Sequence, residues 1–207
     1  MKIKIVLFLV SMLANPLGHA QGFLNLNFEQ GLTASNTIPG WIAYVNNSPT
    51  EVISNDIALN GGAVCLLGTN FGIIQGNYYV YIQGQSQGFP NSASLGQTGI
   101  IPLTAQSLIC WGNVNANDVS FNGNVLPLVV LGTTANYNIY GANVSGFAGD
   151  TGQLLFTSLS SQMGGQWDSV DNIQFSSSPV PEPSAVGLSA LGSALLAWRR
   201  WRKCAQA

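Results

Sequence analysis

The chain has 207 residues, of which 46% are hydrophobic and only 7% are charged, and its formal net charge is −2. All six Lys and Arg residues lie near the two ends, within 2–4 and 199–203, and the only histidine is His19. The long middle segment therefore has no cation with which to bind phosphate groups, which excludes nucleic acid and anionic lipid headgroups as expected partners.

Residues 1–20 have the pattern of a secretory signal peptide. Lys2 and Lys4 precede an apolar run, and Gly18 and Ala20 place small residues where a signal peptidase cleaves. We expect a signal helix here and a mature chain that begins near Gln21. The alternative is an uncleaved membrane anchor, although the apolar run is too short to cross a bilayer comfortably.

Residues 21–178 have the composition of a single all-β domain, because β-branched, aromatic, Gly and Asn residues are abundant and Lys, Arg and Glu are nearly missing. Apolar or alternating runs predict strands at Phe23–Phe28, Trp41–Val45, Ala63–Leu67, Tyr78–Gln83, Leu95–Ile101, Ser107–Trp111, Val125–Leu131, Tyr137–Tyr140, Gln153–Leu159 and Val170–Phe175. Turns are predicted at Asn60-Gly61-Gly62, Gly76-Asn77, Gly112-Asn113 and Asn122-Gly123. This spacing predicts an antiparallel sandwich of two sheets.

Residues 179–203 combine three features in a fixed order. A Pro181-Glu182-Pro183 motif comes first, an uncharged apolar stretch at 185–198 follows, and a basic cluster ends the tail with Arg199, Arg200, Arg202 and Lys203. The stretch predicts a transmembrane helix of about 21 Å, shorter than the roughly 30 Å hydrocarbon core, which suits a transient anchor. The basic cluster places the chain end in the cytoplasm.

This tail resembles the PEP-CTERM sorting signal of exported bacterial proteins. The resemblance implies cleavage near Pro181-Glu182-Pro183 by an exosortase, a membrane protease-transpeptidase, and transfer of residues 21–178 to the cell surface. It also implies a host that produces exopolysaccharide. The alternative is a plain C-terminal membrane anchor.

The borders of the body resemble a galactose-binding-like jelly roll, the fold of many carbohydrate-binding modules. The resemblance is carried by the segments 25–29, 39–41, 76–80, 97–102 and 167–173. It implies a structural calcium ion where the first strand meets the last, with Glu29 and Asp171 at the matching positions. Oxygen ligands of this kind suit a hard cation. Two solvated carboxylates are the alternative.

Cys65 and Cys110 are the only cysteines of the exported body, because Cys204 follows the basic cluster. Export to an oxidising compartment favours a disulfide between them. Two buried thiols that behave as small hydrophobic groups are the alternative.

The residue types of the body exclude most enzymatic mechanisms. No imidazole or Lys is present to activate a Ser or Cys nucleophile. Paired carboxylates still permit glycoside hydrolysis. The candidate carboxylates are Glu29, Glu51, Asp118, Asp150, Asp168 and Asp171. Asp168 and Asp171 are the closest pair in sequence. A separation of three residues on one strand places them on opposite faces, which disfavours a shared site.

Exposed aromatic rings beside amides and hydroxyls are suited to sugar recognition. Trp41, Tyr79, Tyr81 and Trp111 are therefore candidate ligand-binding residues, with Trp167 as a further platform. The alternative for Trp41 and Trp111 is a position in the hydrophobic core, and the alternative for the tyrosines is that they only cover the sheet. Tyr79 and Tyr81 share a face by strand alternation. The sequence thus predicts a non-catalytic exported protein of the cell surface or extracellular matrix that binds polysaccharide. The alternatives are a structural matrix protein without a ligand and a carboxylate-dependent glycosidase.

Overall fold

The computed structural model describes residues 22–31, 35–57, 62–72, 74–84, 91–159 and 167–181. The signal peptide, the predicted tail helix and the basic cluster lie outside these residues. Within the described ranges, no helix is long and apolar enough to cross a bilayer. The helical element found there is a single 3-10 turn at Ser145–Phe147.

The described residues form thirteen β-strands. The strands are β1 (Ile42–Val45), β2 (Ser48–Thr50), β3 (Ile53–Ser54), β4 (Ala63–Leu67), β5 (Tyr79–Gln83), β6 (Ala93–Ile100), β7 (Ser107–Asn113), β8 (Val119–Phe121), β9 (Asn124–Val125), β10 (Val129–Thr133), β11 (Asn138–Asn143), β12 (Thr151–Ser158) and β13 (Trp167–Ser176). A six-stranded sheet has the order β2-β1-β6-β12-β8-β9, and a seven-stranded sheet has the order β10-β11-β7-β13-β5-β4-β3.

The two sheets confirm the predicted all-β sandwich. From β5 to β8 the chain crosses to the other sheet at each connection, as in a jelly roll. The expectation of wholly antiparallel sheets is wrong for one pair, because β3 runs parallel to β4 with Ile53 opposite Cys65. The two-residue strand β3 joins the edge of the seven-stranded sheet just after the chain leaves β2 in the other sheet.

Most predicted strands are present, and two are not. The run Phe23–Phe28 contains no strand, because Asn25 and Phe28 adopt left-handed backbone angles with φ of 49° and 57°. The run Val125–Leu131 is divided between β9 and β10. Pro127 lies between them and has no amide hydrogen to donate to a sheet ladder.

The turn predicted at Asn122-Gly123 is a two-residue hairpin between β8 and β9. Both residues have positive φ, 49° for Asn122 and 77° for Gly123. These angles are the ones that a type I′ turn requires, and Asn-Gly adopts them at low energetic cost.

A single large hydrophobic core fills the space between the sheets. Trp41 packs at its centre, with ring centroids 5.4 Å from Phe28 and 6.3 Å from Phe156, and its indole N–H donates to the carbonyl of Asn25. A second and smaller apolar layer covers the outer face of the seven-stranded sheet. It contains Ala63, Cys65, Leu67 and Tyr79, with Ile57, Ile74 and Tyr81 packed against them.

Candidate functional site

The strand register places a row of polar and aromatic residues across the outer face of the seven-stranded sheet. Tyr81 of β5 lies opposite Ser169 of β13, and Ser169 lies opposite Asn113 of β7. The backbone N–H of Asn113 donates to the Ser169 hydroxyl at 3.0 Å. The row therefore runs from an aromatic ring through a hydroxyl to an amide.

Two stacked aromatic pairs lie on this face, and Tyr81 of the row belongs to one of them. The rings of Tyr81 and Trp167 are 5.6 Å apart with an interplanar angle of 26°. The rings of Trp111 and Tyr137 are 5.4 Å apart with an angle of 12°. Trp167 precedes Ser169 by two residues, and Trp111 lies opposite the residue two places after it. The strand positions of Trp167 and Trp111 are therefore four residues apart along β13, a distance of about 13 Å.

A cleft of about 480 Å³ opens over the row beside the Tyr81–Trp167 pair. We call it the aromatic cleft, and its lining residues are Phe71, Gly72, Ile74, Tyr79, Tyr81, Asn113, Ala135, Asn136, Trp167 and Ser169. Trp167 is 52% exposed, so its ring is available to a ligand. None of the lining residues carries a formal charge.

The structure places the predicted sugar-binding residues in three different environments. Tyr81 and Tyr79 line the aromatic cleft, although Tyr79 is mostly buried and its hydroxyl donates to the carbonyl of Phe71 at 3.1 Å. Trp111 lies on the same outer face in the second aromatic pair. The prediction that Trp41 is a platform is wrong, because Trp41 is 5% exposed and packs in the core.

The tyrosine hydroxyls of the cleft remain protonated at neutral pH. Burial raises the pKa of Tyr81 to about 12, and the nearby charges of Cys65, Tyr79 and Asp168 act in the same direction. Burial also raises the pKa of Tyr79. These hydroxyls are therefore neutral groups that can donate and accept hydrogen bonds.

Gly112 allows strands β7 and β13 to lie close together beneath the cleft. Its φ is +144°, and a Cβ at this position would lie 1.9 Å from the carbonyl oxygen of Ser169. An L-residue would therefore have to move β7 away from β13. The turn predicted at Gly112-Asn113 is instead the end of strand β7.

The two predicted calcium ligands contact the same short segment. The Glu29 carboxylate accepts the backbone N–H groups of Asn77 and Tyr78, at 2.6 and 3.2 Å, and also the Asn77 side-chain amide. Asp171 accepts the backbone N–H of Gln75 at 2.8 Å. A Cβ on Gly76 would overlap the Glu29 carboxylate at 2.1 Å, so the segment wraps closely around it.

The pKa values of the two carboxyl groups shift in opposite directions. Partial burial acts to raise the pKa of Glu29, but the donors from Asn77 and Tyr78 outweigh it and hold that pKa below its ordinary value. Burial raises the pKa of Asp171 to about 7, and the charge of Glu29 adds to this shift against two backbone donors. No group of three or more His, Cys, Asp or Glu that could hold a metal ion occurs among the residues with described positions.

A buried carboxyl pair, which sequence reasoning missed, lies on the inner side of β13. The side-chain amide of Asn115 donates to both Asp118 and Asp168, at 2.9 and 3.1 Å. Asp168 is 1% exposed, and its Oδ2 has no hydrogen-bond donor. Burial raises the pKa of Asp168 to about 7; the backbone N–H of Asn115 opposes this rise and the adjacent Asp118 adds to it. Fifty residues separate the two aspartates in sequence, so no local motif could have revealed the pair.

Asp168 and Asp171 do not form a shared site. Asp168 contacts Asn115 on the inner side of β13, whereas Asp171 contacts Gln75 in the segment that follows Gly72. The prediction that these residues lie on opposite faces of one strand is confirmed.

The predicted disulfide between Cys65 and Cys110 is wrong. Cys65 belongs to the outer apolar layer, whereas Cys110 belongs to the core between the sheets, and no disulfide joins them. The seven-stranded sheet itself lies between the two thiols. Burial raises the pKa of Cys110 to about 12.

Comparisons with known proteins add evidence at the C-terminus. The family model described as the PEP-CTERM protein-sorting motif matches residues 179–203. The chain carries a PEP-CTERM sorting motif. The motif confirms the predicted resemblance and marks an exported, surface-directed protein that is processed by an exosortase. Of the motif, Pro181 is described and exposed, whereas Glu182, Pro183 and the basic cluster lie outside the described residues.

No curated protein matches this sequence. Among solved structures, the body is similar to the carbohydrate-binding module TmCBM61, solved in complex with β-1,4-galactotriose, with 15% identity, a TM-score of 0.46 and coverage of 76% of this chain and 99% of that one. It is also similar to the enzymatically active domain of bacteriophage CBA120 tailspike protein 4, with 16% identity, a TM-score of 0.39 and coverage of 72% of this chain and 21% of that one.

Proposed function

We propose that this PEP-CTERM protein binds polysaccharide at the cell surface through the aromatic cleft and performs no catalysis. The observation that carries the proposal is the exposed Trp167 ring, stacked on Tyr81 and followed along the sheet by Ser169 and Asn113. Ring faces accept the C–H faces of sugars, and the neighbouring hydroxyl and amide can bond sugar hydroxyls. Burial of an aromatic ring supplies most of the binding free energy at sites of this kind.

A second cleft on the six-stranded sheet is a weaker candidate. It measures about 130 Å³ and is lined by one aromatic side chain, Tyr44, with Asn47, Ser94, Gln153 and Leu155. One ring beside a shallow surface offers less apolar contact than the Tyr81–Trp167 pair. We therefore assign the ligand to the seven-stranded sheet.

The buried carboxyl pair does not favour the glycosidase alternative. Asp118 is 7% exposed and Asp168 is 1% exposed, so the two groups face each other beneath the surface. Glycoside hydrolysis places two carboxylates on either side of a bound sugar, roughly 5 to 9.5 Å apart. Both carboxyl groups accept hydrogen bonds from the single side-chain amide of Asn115, so no sugar ring fits between them.

Replacing Trp167 with Ala tests the proposal. Screening the purified chain on a glycan array identifies a bound polysaccharide, and calorimetry with that polysaccharide then measures affinity. We expect Trp167→Ala and Tyr81→Ala each to weaken binding by about tenfold or more, because each removes a stacking ring. Thermal unfolding of each variant checks that the fold is retained.

Tyr44→Ala is the matched control, since it removes a partly exposed tyrosine from the opposite sheet. Its affinity should equal that of the wild-type chain. If Tyr44→Ala loses binding while Trp167→Ala retains it, the site is on the other sheet. If no polysaccharide on the array binds, the structural matrix protein without a ligand is the better description.

Deletion of residues 182–203 tests delivery separately from ligand binding. In the native host we expect the shortened protein to be absent from the cell surface, because the exosortase no longer recognises it. Unchanged surface retention would contradict the sorting proposal.

We also propose a structural calcium ion beside Glu29 and Asp171. Both carboxylates contact residues 75–77, and the charge of Glu29 contributes to the raised pKa of Asp171. In the same segment, the side-chain oxygen Oε1 of Gln75 is buried without a hydrogen-bond partner. A hard cation would neutralise the carboxylates and bind this oxygen. Chelation should lower the melting temperature of the wild-type chain and leave Asp171→Asn unaffected; an equal temperature with and without chelator contradicts the proposal.

A further inference from the structure

We infer that the aromatic cleft is selective for uncharged polysaccharide and rejects chains that carry uronate, sulfate or phosphate groups. The inference rests on the proposed function and specifies its ligand class. It follows from the uncharged lining of the cleft rather than from the rings that lie in it.

The first observation is the uncharged lining. The side chains that can bond a ligand are the hydroxyls of Tyr81 and Ser169 and the amides of Asn113 and Asn136. The raised pKa of Tyr81 keeps its hydroxyl neutral at every physiological pH. These groups match the hydroxyl groups of a neutral sugar and provide no formal charge opposite an anion.

The second observation is that the described residues contain no Lys, Arg or His. No Lys, Arg or His occurs between residues 20 and 198. The sequence of the segments 85–90 and 160–166, which the structure does not describe, therefore contains no cation either. The carboxyl group of Asp168, which is buried on the inner side of β13, cannot provide a counter-charge either. An anionic ligand would therefore meet no counter-charge on the lining of the cleft.

The magnitude of this effect is sufficient for selectivity. An anion that leaves water for an uncharged, partly apolar cleft loses hydration, and nothing in the cleft replaces that hydration with an ion pair. A penalty of about 1.4 kcal/mol already corresponds to tenfold in affinity.

The test uses one polymer backbone in two charge states. The full-length chain is first measured against galactan, glucan and mannan, and the polymer that binds is then oxidised at its C6 alcohols, which converts CH2OH groups into carboxylates. We expect affinity to fall by about tenfold or more on oxidation. Affinity for the neutral form should not change between about 0.05 and about 1 M NaCl, because no charge pair contributes to it.

A variant that adds a cation to the cleft tests whether the selectivity arises there. Asn136→Lys places a cation on the cleft lining and should recover binding to the oxidised polymer. Leu103→Lys adds the same charge at a residue that is 82% exposed and does not line the cleft, and it should recover nothing.

The outcomes separate the two proposals. Loss of affinity on oxidation, with recovery only in Asn136→Lys, supports the inference. Equal or tighter binding of the oxidised polymer overturns the inference and leaves the proposed function intact. Binding to none of the three neutral polymers, while Trp167-dependent binding to an acidic polymer is found, also overturns it. Lack of binding to both classes overturns the proposed function itself.

Discussion

The two faces of the seven-stranded sheet are both apolar, yet they have different surroundings. On the inner face, Val80, Ile82, Leu108 and Val170 are all fully buried against the other sheet. On the outer face, Tyr79 is 9% exposed and Trp167 is 52% exposed, and no second sheet covers them among the described residues.

This difference distinguishes residues that hold the fold together from residues that are free to bind. The inner face is mainly aliphatic, and its side chains interlock with those of the other sheet. The outer face is rich in aromatic rings with polar groups between them. A ring that packs on one side and is exposed on the other provides contact area to a ligand at low entropic cost.

The largest expected difference in the free energy of unfolding is between a substitution of the core residue Trp41 and a substitution of Trp167 on the outer face. Trp41→Ala should lower the free energy of unfolding by about 3–5 kcal/mol, because it leaves a cavity beside Phe28 and Phe156. Trp167→Ala should change it by only about 0.5 kcal/mol, as expected for a surface substitution. Urea unfolding of both variants measures the difference, and equal destabilisation would contradict the assignment of Trp167 to a binding surface.

A smaller loss of stability is expected from a substitution at Gly112, where strands β7 and β13 lie close together. Gly112→Ala places a Cβ against the Ser169 carbonyl and requires a strained φ, so we expect a loss of roughly 1–3 kcal/mol. The shift of β7 from β13 also moves Asn113 and Ser169 apart, so glycan affinity should fall with stability. Gly123→Ala is the control, because it shares the positive φ but has no heavy atom within 4 Å of its Cβ. It should leave affinity unchanged.

The sequence was sufficient to predict the sandwich and the sorting motif, because these depend on local patterns. Strand β4 was predicted with its correct ends, and the Asn122-Gly123 hairpin followed from its dipeptide. Strands β2, β3 and β8 were missed because each has only two or three residues and shows too little alternation.

The site was only partly predictable, because side-chain direction depends on strand register. Alternation predicted that Tyr79 and Tyr81 share a face, and they do. It could not distinguish the core position of Trp41 from the exposed position of Trp167, since both follow turn-rich segments. The contact between Asp118 and Asp168 joins residues from different strands and loops, which no local pattern encodes.

The inner side of β13 also predicts a dependence of stability on pH. The pKa of Asp168 is about 7 in the folded chain and near its ordinary 3.8 in the unfolded chain, so the folded state binds the extra proton between these values. Stability should therefore fall as pH rises from about 4 to about 7 and then remain level. Asp171, with its pKa raised to about 7, contributes with the same sign in chelator, where no calcium ion holds its carboxylate ionised.

Asp168→Asn isolates the contribution of the buried pair. An amide cannot ionise and can donate to Asp118, so the variant should lose less stability than the wild-type chain on going from about pH 5 to about pH 8. Asp150→Asn removes an exposed carboxylate and should follow the wild-type curve. Melting temperatures measured across this pH range test the prediction. Identical slopes of melting temperature against pH for all three proteins would contradict a protonated carboxyl pair in the folded state.

The smallest expected effect concerns the thiols on the two faces. Because the sheet separates Cys65 from Cys110, a reducing agent should leave the melting temperature unchanged. Unfolding without reductant should expose all three cysteines of the full-length chain to alkylation, whereas a bridge between the first two would leave only Cys204 reactive. In the folded protein Cys110 should react extremely slowly, since its buried thiol has a pKa of about 12 and supplies almost no thiolate. Rapid native-state labelling of Cys110 would show that the core between the sheets opens, and the inner face would then no longer differ from the outer one in access to solvent.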